Sequence, residues 1–236
     1  MGKTIFITGT DTGVGKTVLT ALLTRHLREM GRNAMAMKPF CSGSRADARL
    51  LRAAQEKVLT LDEINPFFFD QPLAPAAAAG RGKKVSLDAA VEKIRAVASR
   101  CELLLVEGAG GVLVPLGENY TVADLIGRLG CPAVVVSRNR LGTINHTLMT
   151  VRMMQSIGIK RIVIALVEGG KPDLSAQSNA KMIRKMAPNV PVFSIPNLGP
   201  KASNEAILKI NVKFLKKTLA RIAKNVNFVA FAGETW

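Results

Sequence analysis

The stretch Gly9-Thr10-Asp11-Thr12-Gly13-Val14-Gly15-Lys16-Thr17 holds the residue types that grip a nucleoside triphosphate. Glycines let the backbone close on an anion and turn its N–H groups inward. Lys16 has the reach to meet β- and γ-phosphate oxygens, and the Thr17 hydroxyl suits a Mg²⁺ ion beside them. The common phosphate loop, G-x-x-x-x-G-K-[ST], has its two glycines five steps apart. Here Thr10 stands five steps before Gly15, and the nearest upstream glycine, Gly9, is six steps away. The ending is intact and the start is lengthened, so the loop reads as a variant.

Two further clusters carry polar residues out of apolar surroundings. Lys38 follows "NAMAM", and Ser42-Gly43-Ser44 makes a turn able to hold an anion. Asp47 then opens a helical stretch. It reads either as an ordinary helix-start acid or as a ligand for a hard cation. In "LLLVEGAGGVLVP" (103–115), Glu107 ends an apolar run and is followed by Gly108, Ala109, Gly110 and Gly111. A carboxylate there costs free energy unless it is paired or binds a metal. The glycines allow a phosphate or substrate to approach closely.

The elements that must position these residues follow from periodicity. "KTIFIT" (3–8) is a strand, and from Lys16 the residues Val18, Leu19, Leu22, Leu23 and Leu27 mark one helix face that Gly31 closes. "NAMAMK" (33–38) is the next strand, which makes a βαβ unit and a parallel sheet. Continuous apolar runs at 102–108, 132–137, 161–167 and 191–196 read as buried strands. Helical patterns lie at 46–57, from Ser86 to about Arg100, at 121–130, 142–158 and 175–187, and at roughly 203–224. Residues 64–80 hold three prolines and three of the nine phenylalanines and read as a packed excursion over the sheet edge. The expected fold is α/β: a three-layer, mostly parallel sheet with helices on both faces, like a P-loop NTPase, in one domain over 1–236. It ends in a basic helix and an apolar tail (225–236).

Composition narrows the setting. A 236-residue chain suits one compact domain. No apolar run reaches a membrane-spanning length, and the start shows no signal-peptide pattern. Cys41, Cys101 and Cys131 form neither a metal pattern nor a disulfide framework, which fits a reducing cytoplasm. The net charge is +16, and residues 181–236 carry ten Lys or Arg against two Glu. Such a surface attracts anionic substrates, nucleic acid or anionic lipid alike, and no nucleic-acid motif accompanies it. His26 reads as a surface or packing residue, and His146 as a structural one.

Taken in order, the three motifs resemble those of the dethiobiotin synthetase family. The lengthened loop 9–17, Lys38-Pro39 with Ser42-Gly43, and Glu107-Gly108-Ala109-Gly110-Gly111 with Pro115 are each similar to a family motif. "YTVADL" (120–125) and "RLGTINHTLMT" (140–150) resemble further segments, so the likeness runs from about residue 3 to 200. The resemblance implies an ATP-dependent carboxylation of 7,8-diaminononanoate with CO₂ that closes the ureido ring of dethiobiotin. It proceeds through a carbamate and a carbamic-phosphoric anhydride. It implies that Lys16 and Lys38, with Mg²⁺, neutralise the transferring phosphoryl group and the carbamate, and that Ser42 positions the substrate. Thr17, Asp47 and Glu107 would hold Mg²⁺. The nucleotide would lie against Gly13, Val14, Gly15, Lys16, Thr17 and Val18, with Asp47, Glu107, Gly108, Ala109 and Gly110 nearby. Family enzymes are homodimers, and the substrate carboxylate is received near a helix start across the interface, here by backbone N–H groups of Thr143, Ile144 and Asn145.

At the base the chain departs from the family. An Asn often follows the strand that corresponds to "IVIALV", where this chain has Glu168. A carboxylate accepts from a base amino group but cannot donate to a ring nitrogen. ATP or another nucleoside triphosphate therefore fits this position, with Pro196, Asn197 and Leu198 as the second base-contacting segment. Two other readings stand beside this one, the first because it shares the loop and the second because of the +16 charge. One is an amidoligase of the cobyrinate-synthetase type, which would need a glutaminase. The other is a DNA-binding partitioning-type switch ATPase, which usually carries a second lysine where Thr10-Asp11-Thr12 stands.

Overall fold

Apolar runs rich in Val, Ile and Leu are stable as parallel strands only when both faces of the sheet are covered. The computed structural model, which describes residues 2–80, 82, 84–170 and 174–226, has this arrangement. In chain order the elements are β1 (Lys3–Gly9), α1 (Lys16–Glu29), β2 (Ala34–Met37), β3 (Phe40–Ser42), α2 (Ala46–Ala54), α3 (Leu61–Ile64), β4 (Phe67–Phe69), α4 (Pro75–Ala78), α5 (Leu87–Ala98), β5 (Leu103–Gly111), β6 (Pro115–Gly117), β7 (Tyr120–Thr121), α6 (Val122–Leu129), β8 (Ala133–Asn139), α7 (Thr143–Ser156), β9 (Ile162–Glu168), α8 (Ala176–Met186), β10 (Val192–Ile195) and α9 (Glu205–Asn225).

Six strands form the main sheet in the order β10-β9-β8-β1-β5-β2, and every pairing is parallel. Right-handed crossovers put α1 on one face with α2 and α9, which pack against it, and α5 to α8 on the other. The interior is apolar and mostly aliphatic: Ile7, Leu22, Leu105, Val135 and Ile164 are fully buried, along with the Phe6 ring. Because all strands run the same way, their carboxyl ends share one edge. The chain leaves β1 in one sense and later crosses it in the other, which opens a crevice at that edge.

The sequence placed five of the six main-sheet strands within two residues at each end. β5 is longer than expected: it continues past Glu107 through the glycines to Gly111, with its register against β1 shifting before Gly9. Glu107 therefore sits inside a strand rather than at its end. The excursion has structure of its own. β3 pairs in parallel with β4, Phe40 lies against Phe67 with ring centroids 5.0 Å apart, and Asn65 Nδ2 donates to the Lys38 and Pro39 carbonyls. These bonds fasten the segment that follows Lys38. Leu208, Val212, Leu215, Leu219 and Ile222 of α9 are buried, so the stripe faces the core. Residues 227–236 of the apolar tail lie outside the described residues. No helix among the described residues is long and apolar enough to cross a membrane.

Candidate active site

The lengthened loop joins β1 to α1 through two left-handed glycines, Gly13 at φ 71° and Gly15 at φ 105°. Gly15 is the N-cap of α1, where no side chain accepts from the first turn and no acid lies in it. Those N–H groups have no intrahelical acceptor and are oriented for an anion. Lys16 is buried, and its Nζ donates to the Asp11 carbonyl at 2.7 Å. Burial pulls the Lys16 pKa down to about 8; nearby Lys38 adds to this, while Glu107, Asp47 and Asp11 oppose it.

Glu107 is the centre of the polar cluster. Its side chain is 0 % exposed. Oε1 accepts from the Thr17 hydroxyl at 2.7 Å and from Lys38 Nζ at 3.0 Å. Lys38 Nζ also pairs with Asp47 Oδ2. Burial alone would lower the Lys38 pKa, but Glu107 and Asp47 together more than reverse it, and its charge is held firmly. Glu107 Oε2 is buried and has no partner among the described residues. This orphaned oxygen, the Asp47 carboxylate and the Thr17 hydroxyl form a hard oxygen donor set. Mg²⁺ is commonly held by one or two carboxylates together with substrate phosphates, so the residues fit it. Among the described residues no group of three or more His, Cys, Asp or Glu could hold a metal by itself.

Two clefts flank this cluster. The first, about 330 Å³, takes Val14, Gly15 and Val18 from the loop side and Glu168, Pro196, Asn197 and Leu198 from the opposite wall. The second, about 400 Å³, takes Thr12 from the loop, with Lys38, Ser42, Asp47, Ala109 and Gly110. Ser42 Oγ is buried and has no partner among the described residues. Ala109 and Gly110, assigned to the nucleotide by sequence, thus line the other cleft. Gly108 is needed for close strand packing: a Cβ there would lie 2.8 Å from the Phe6 ring.

On the base side, Asn139 Nδ2 donates to both Glu168 oxygens at 3.0 Å, while its own oxygen accepts from Asn179 Nδ2 at 2.8 Å. Arg138 lines the same cleft, and its Nε donates to the Gly13 carbonyl at 3.2 Å. Sequence reading missed both residues. The signal was the polar "SRN" (137–139) closing the apolar "PAVVV" (132–136), since polar residues at the carboxyl end of a central strand face the ligand edge.

α7 also starts on a left-handed glycine, Gly142 at φ 89°, with no side-chain cap and no acid in its first turn. Of the three N–H groups assigned to a carboxylate, that of Thr143 already donates to the Arg140 carbonyl at 3.1 Å. Ile144 and Asn145 remain, at positions where a helix has no acceptor of its own. His146 is exposed one turn on. His26 is buried in α1 rather than at the surface, and burial lowers its pKa.

Comparison with known proteins agrees with this geometry. A family described as an AAA domain matches residues 3–205. The chain is 44% identical over 202 residues to the ATP-dependent dethiobiotin synthetase BioD of Bacillus licheniformis, covering 82% of this chain and 85% of that one. It is 44% identical over 198 residues to the ATP-dependent dethiobiotin synthetase BioD of Anaeromyxobacter dehalogenans strain 2CP-1, covering 81% and 89%. Among solved structures, the MinC:MinD cell division protein complex of Aquifex aeolicus superposes with a TM-score of 0.65 at 13% identity, covering 100% of both chains. That likeness concerns the P-loop NTPase fold alone.

Proposed function

The chain belongs to the family of ATP-dependent dethiobiotin synthetases, and on that footing we propose that it closes the ureido ring of dethiobiotin in biotin biosynthesis. The substrates are 7,8-diaminononanoate, CO₂ and a nucleoside triphosphate. One amine adds to CO₂ and loses a proton, giving a carbamate. A carbamate oxygen takes the γ-phosphoryl group, releasing the nucleoside diphosphate. The second amine then attacks the carbamoyl carbon, phosphate leaves, and the ring closes. Family membership does not favour the amidoligase or DNA-partitioning readings.

The observation that carries the reading is the place of Lys38. It is paired with the buried Glu107 beside Thr17 and also lines the second cleft next to Ser42. One cation thus serves the seam where a carbamate oxygen would meet a γ-phosphate. Phosphoryl transfer asks for positioning and charge neutralisation more than covalent help. Lys16 neutralises the phosphates from the loop side, and Lys38 holds the carbamate. Ser42 orients the amine or carbamate end, and Ile144 and Asn145, with the α7 dipole, receive the far carboxylate across a homodimer interface. Thr17, Asp47 and Glu107 would hold Mg²⁺, which would supply positive charge to the triphosphate when bound.

Gly13 to Val18 cradle the phosphates, and Glu168 with Pro196, Asn197 and Leu198 meets the base. Asn139 Nδ2 bonds both Glu168 oxygens, and the ionised carboxylate offers a base its remaining lone pairs as acceptors only. A base is then held by an exocyclic amino group, which suits adenine and equally other amino-bearing bases. The test is fixation of ¹⁴C-bicarbonate into acid-stable product with diaminononanoate, Mg²⁺ and each nucleoside triphosphate in turn. Product with ATP is expected; no product with any nucleotide refutes the function. Glu168→Gln, which adds a donor, is expected to narrow the gap between amino-bearing and keto-only bases; an unchanged ranking refutes the role of Glu168.

A further inference from the structure

Ser137, near the end of β8, is buried and its hydroxyl has three side-chain partners. It accepts from Thr10 Oγ1 at 3.2 Å and from Thr147 Oγ1 at 3.0 Å, and shares a 2.7 Å bond with Thr143 Oγ1. A hydroxyl has one proton and two lone pairs, so donation to Thr143 completes the set. Thr143 and Thr147, one turn apart on α7, also face each other at 3.4 Å. The hub therefore joins three elements: β8, the first two turns of α7, and the nucleotide loop through Thr10. Thr10 is the residue at the loop's lengthened start. Its N–H bonds the Val136 carbonyl at 3.0 Å while its side chain reaches Ser137.

Ser137, Thr143 and Thr147 are buried positions that aliphatic side chains could also fill. Valine would replace each threonine at nearly the same volume. What valine lacks is direction. A fully satisfied polar network inside a protein specifies one arrangement of its elements, where apolar contact tolerates sliding. Thr147 is 0 % exposed and Ser137 1 %, and neither lines either cleft.

We propose that Ser137 is a positioning residue. It fixes the start of α7 against the nucleotide loop, so that the triphosphate cradle of α1 and the carboxylate-receiving turn of α7 share one frame. The proposal rests on reading the α7 start as the carboxylate site. It gives the lengthened loop a purpose: the residues between Gly9 and Gly13 leave room for a side-chain tie to the neighbouring strand and helix.

The test uses the full chain with Ser137→Ala, Thr147→Val and Thr147→Ser. Each is followed by kcat, by KM for diaminononanoate, and by equilibrium affinity for a fluorescent nucleotide in the absence of diaminononanoate. Thermal melts show that each variant is folded. Ser137→Ala is expected to raise KM roughly tenfold, the scale of losing hydrogen bonds within a buried network, with kcat within about twofold. It is also expected to weaken nucleotide binding roughly threefold through Thr10. Thr147→Val should follow it at smaller size, and Thr147→Ser, which keeps the hydroxyl, should restore both values towards wild type. The proposal is overturned if Thr147→Val behaves as wild type, or if Thr147→Ser is as impaired as Thr147→Val, which would mark a packing role. Should wild-type protein make no dethiobiotin, the assigned function falls, while the nucleotide affinities of the same three variants still decide the hub.

Discussion

α1 and α7 begin differently from α5, α6 and α9. At the first two, the N-cap is a left-handed glycine, no side chain accepts from the first turn, and no acid sits there. At the other three, Ser86, Thr121 and Asn204 accept from first-turn N–H groups, and Asp88, Asp124 and Glu205 lie beside the dipole. The capped helices satisfy themselves, and none of their cap residues lines either cleft. The uncapped ones begin at the carboxyl ends of β1 and β8, the strands that flank the crevice. A side-chain cap is worth roughly 1 kcal/mol to a helix. Forgoing it at two adjacent sites leaves donors oriented for anions supplied from outside, which the proposed function makes a triphosphate at one and a carboxylate at the other.

The contrast is broken most severely at Lys16, which adds a charge to the α1 start that α7 does not have. Lys16→Met is expected to lower kcat by roughly a thousandfold or more, the scale seen when one cation is removed from a phosphoryl-transfer site. Its pKa of about 8, against an ordinary 10.5, sets a pH test. A triphosphate favours the charged form, so nucleotide binding above pH 8 should take up protons, and affinity should fall as pH rises. Calorimetry in two buffers of different ionisation enthalpy measures the uptake, and Lys16→Met should abolish it. The sign for folding is opposite. Between about 8 and 10.5 the unfolded chain binds more protons at this residue than the folded one, so the ligand-free protein gains stability with rising pH there relative to Lys16→Met.

Much of this frame was legible in the sequence, and particular residues show why. Continuous apolar runs marked four of the six main strands, because a strand buried on both faces favours them, and the strand–helix–strand order marked β1 and β2. Gly-Lys-Thr at a strand-to-helix junction, Lys38 after a strand and Glu107 among aliphatics were conspicuous for the same reason: charge without local cause. The structure brings Lys16, Thr17, Lys38, Asp47 and Glu107 together. The partners of Ser137 and Asn139 were not legible. Each acts through partners far away in the chain, Thr10 and Thr147 for one and Glu168 and Asn179 for the other, and spacing alone does not reveal such pairings. The β3–β4 ladder was missed because three-residue strands carry too little periodicity, and because Phe67–Phe69 in a proline-rich setting reads as a loop.

The two glycine caps sharpen the comparison at intermediate size. At φ 105° an L-residue is strained, yet a Cβ on Gly15 would meet only Val167 methyls at 3.5 Å, an ordinary contact. The cost of Gly15→Ala is therefore backbone strain of about 1–3 kcal/mol, relieved by moving the first turn of α1. Nucleotide affinity should fall roughly tenfold or more. Gly142→Ala is the same experiment at α7, where φ is 89° and the nearest atom is His146 Cε1 at 3.8 Å. It should raise KM for diaminononanoate several-fold, with nucleotide affinity changing less. Equal effects of the two substitutions on nucleotide affinity would erase the division of labour between the helix starts.

The smallest effect belongs to a capped helix, and it tests whether the contrast is real. Ser86 Oγ accepts from the Ala89 N–H at 3.1 Å, and Ser86 lines neither cleft. Ser86→Ala should cost about 1 kcal/mol of stability, a drop of roughly 2–4 °C in Tm for a chain of this size. Because that cap serves only its own helix, kcat, KM and nucleotide affinity should stay at wild-type values. Gly142→Ala run beside it should show the reverse balance, with a larger kinetic change per degree of Tm lost. If Ser86→Ala moved KM as much as Gly142→Ala, the uncapped starts would have no special relation to ligands, and the glycine caps would be no more than local solutions to chain direction.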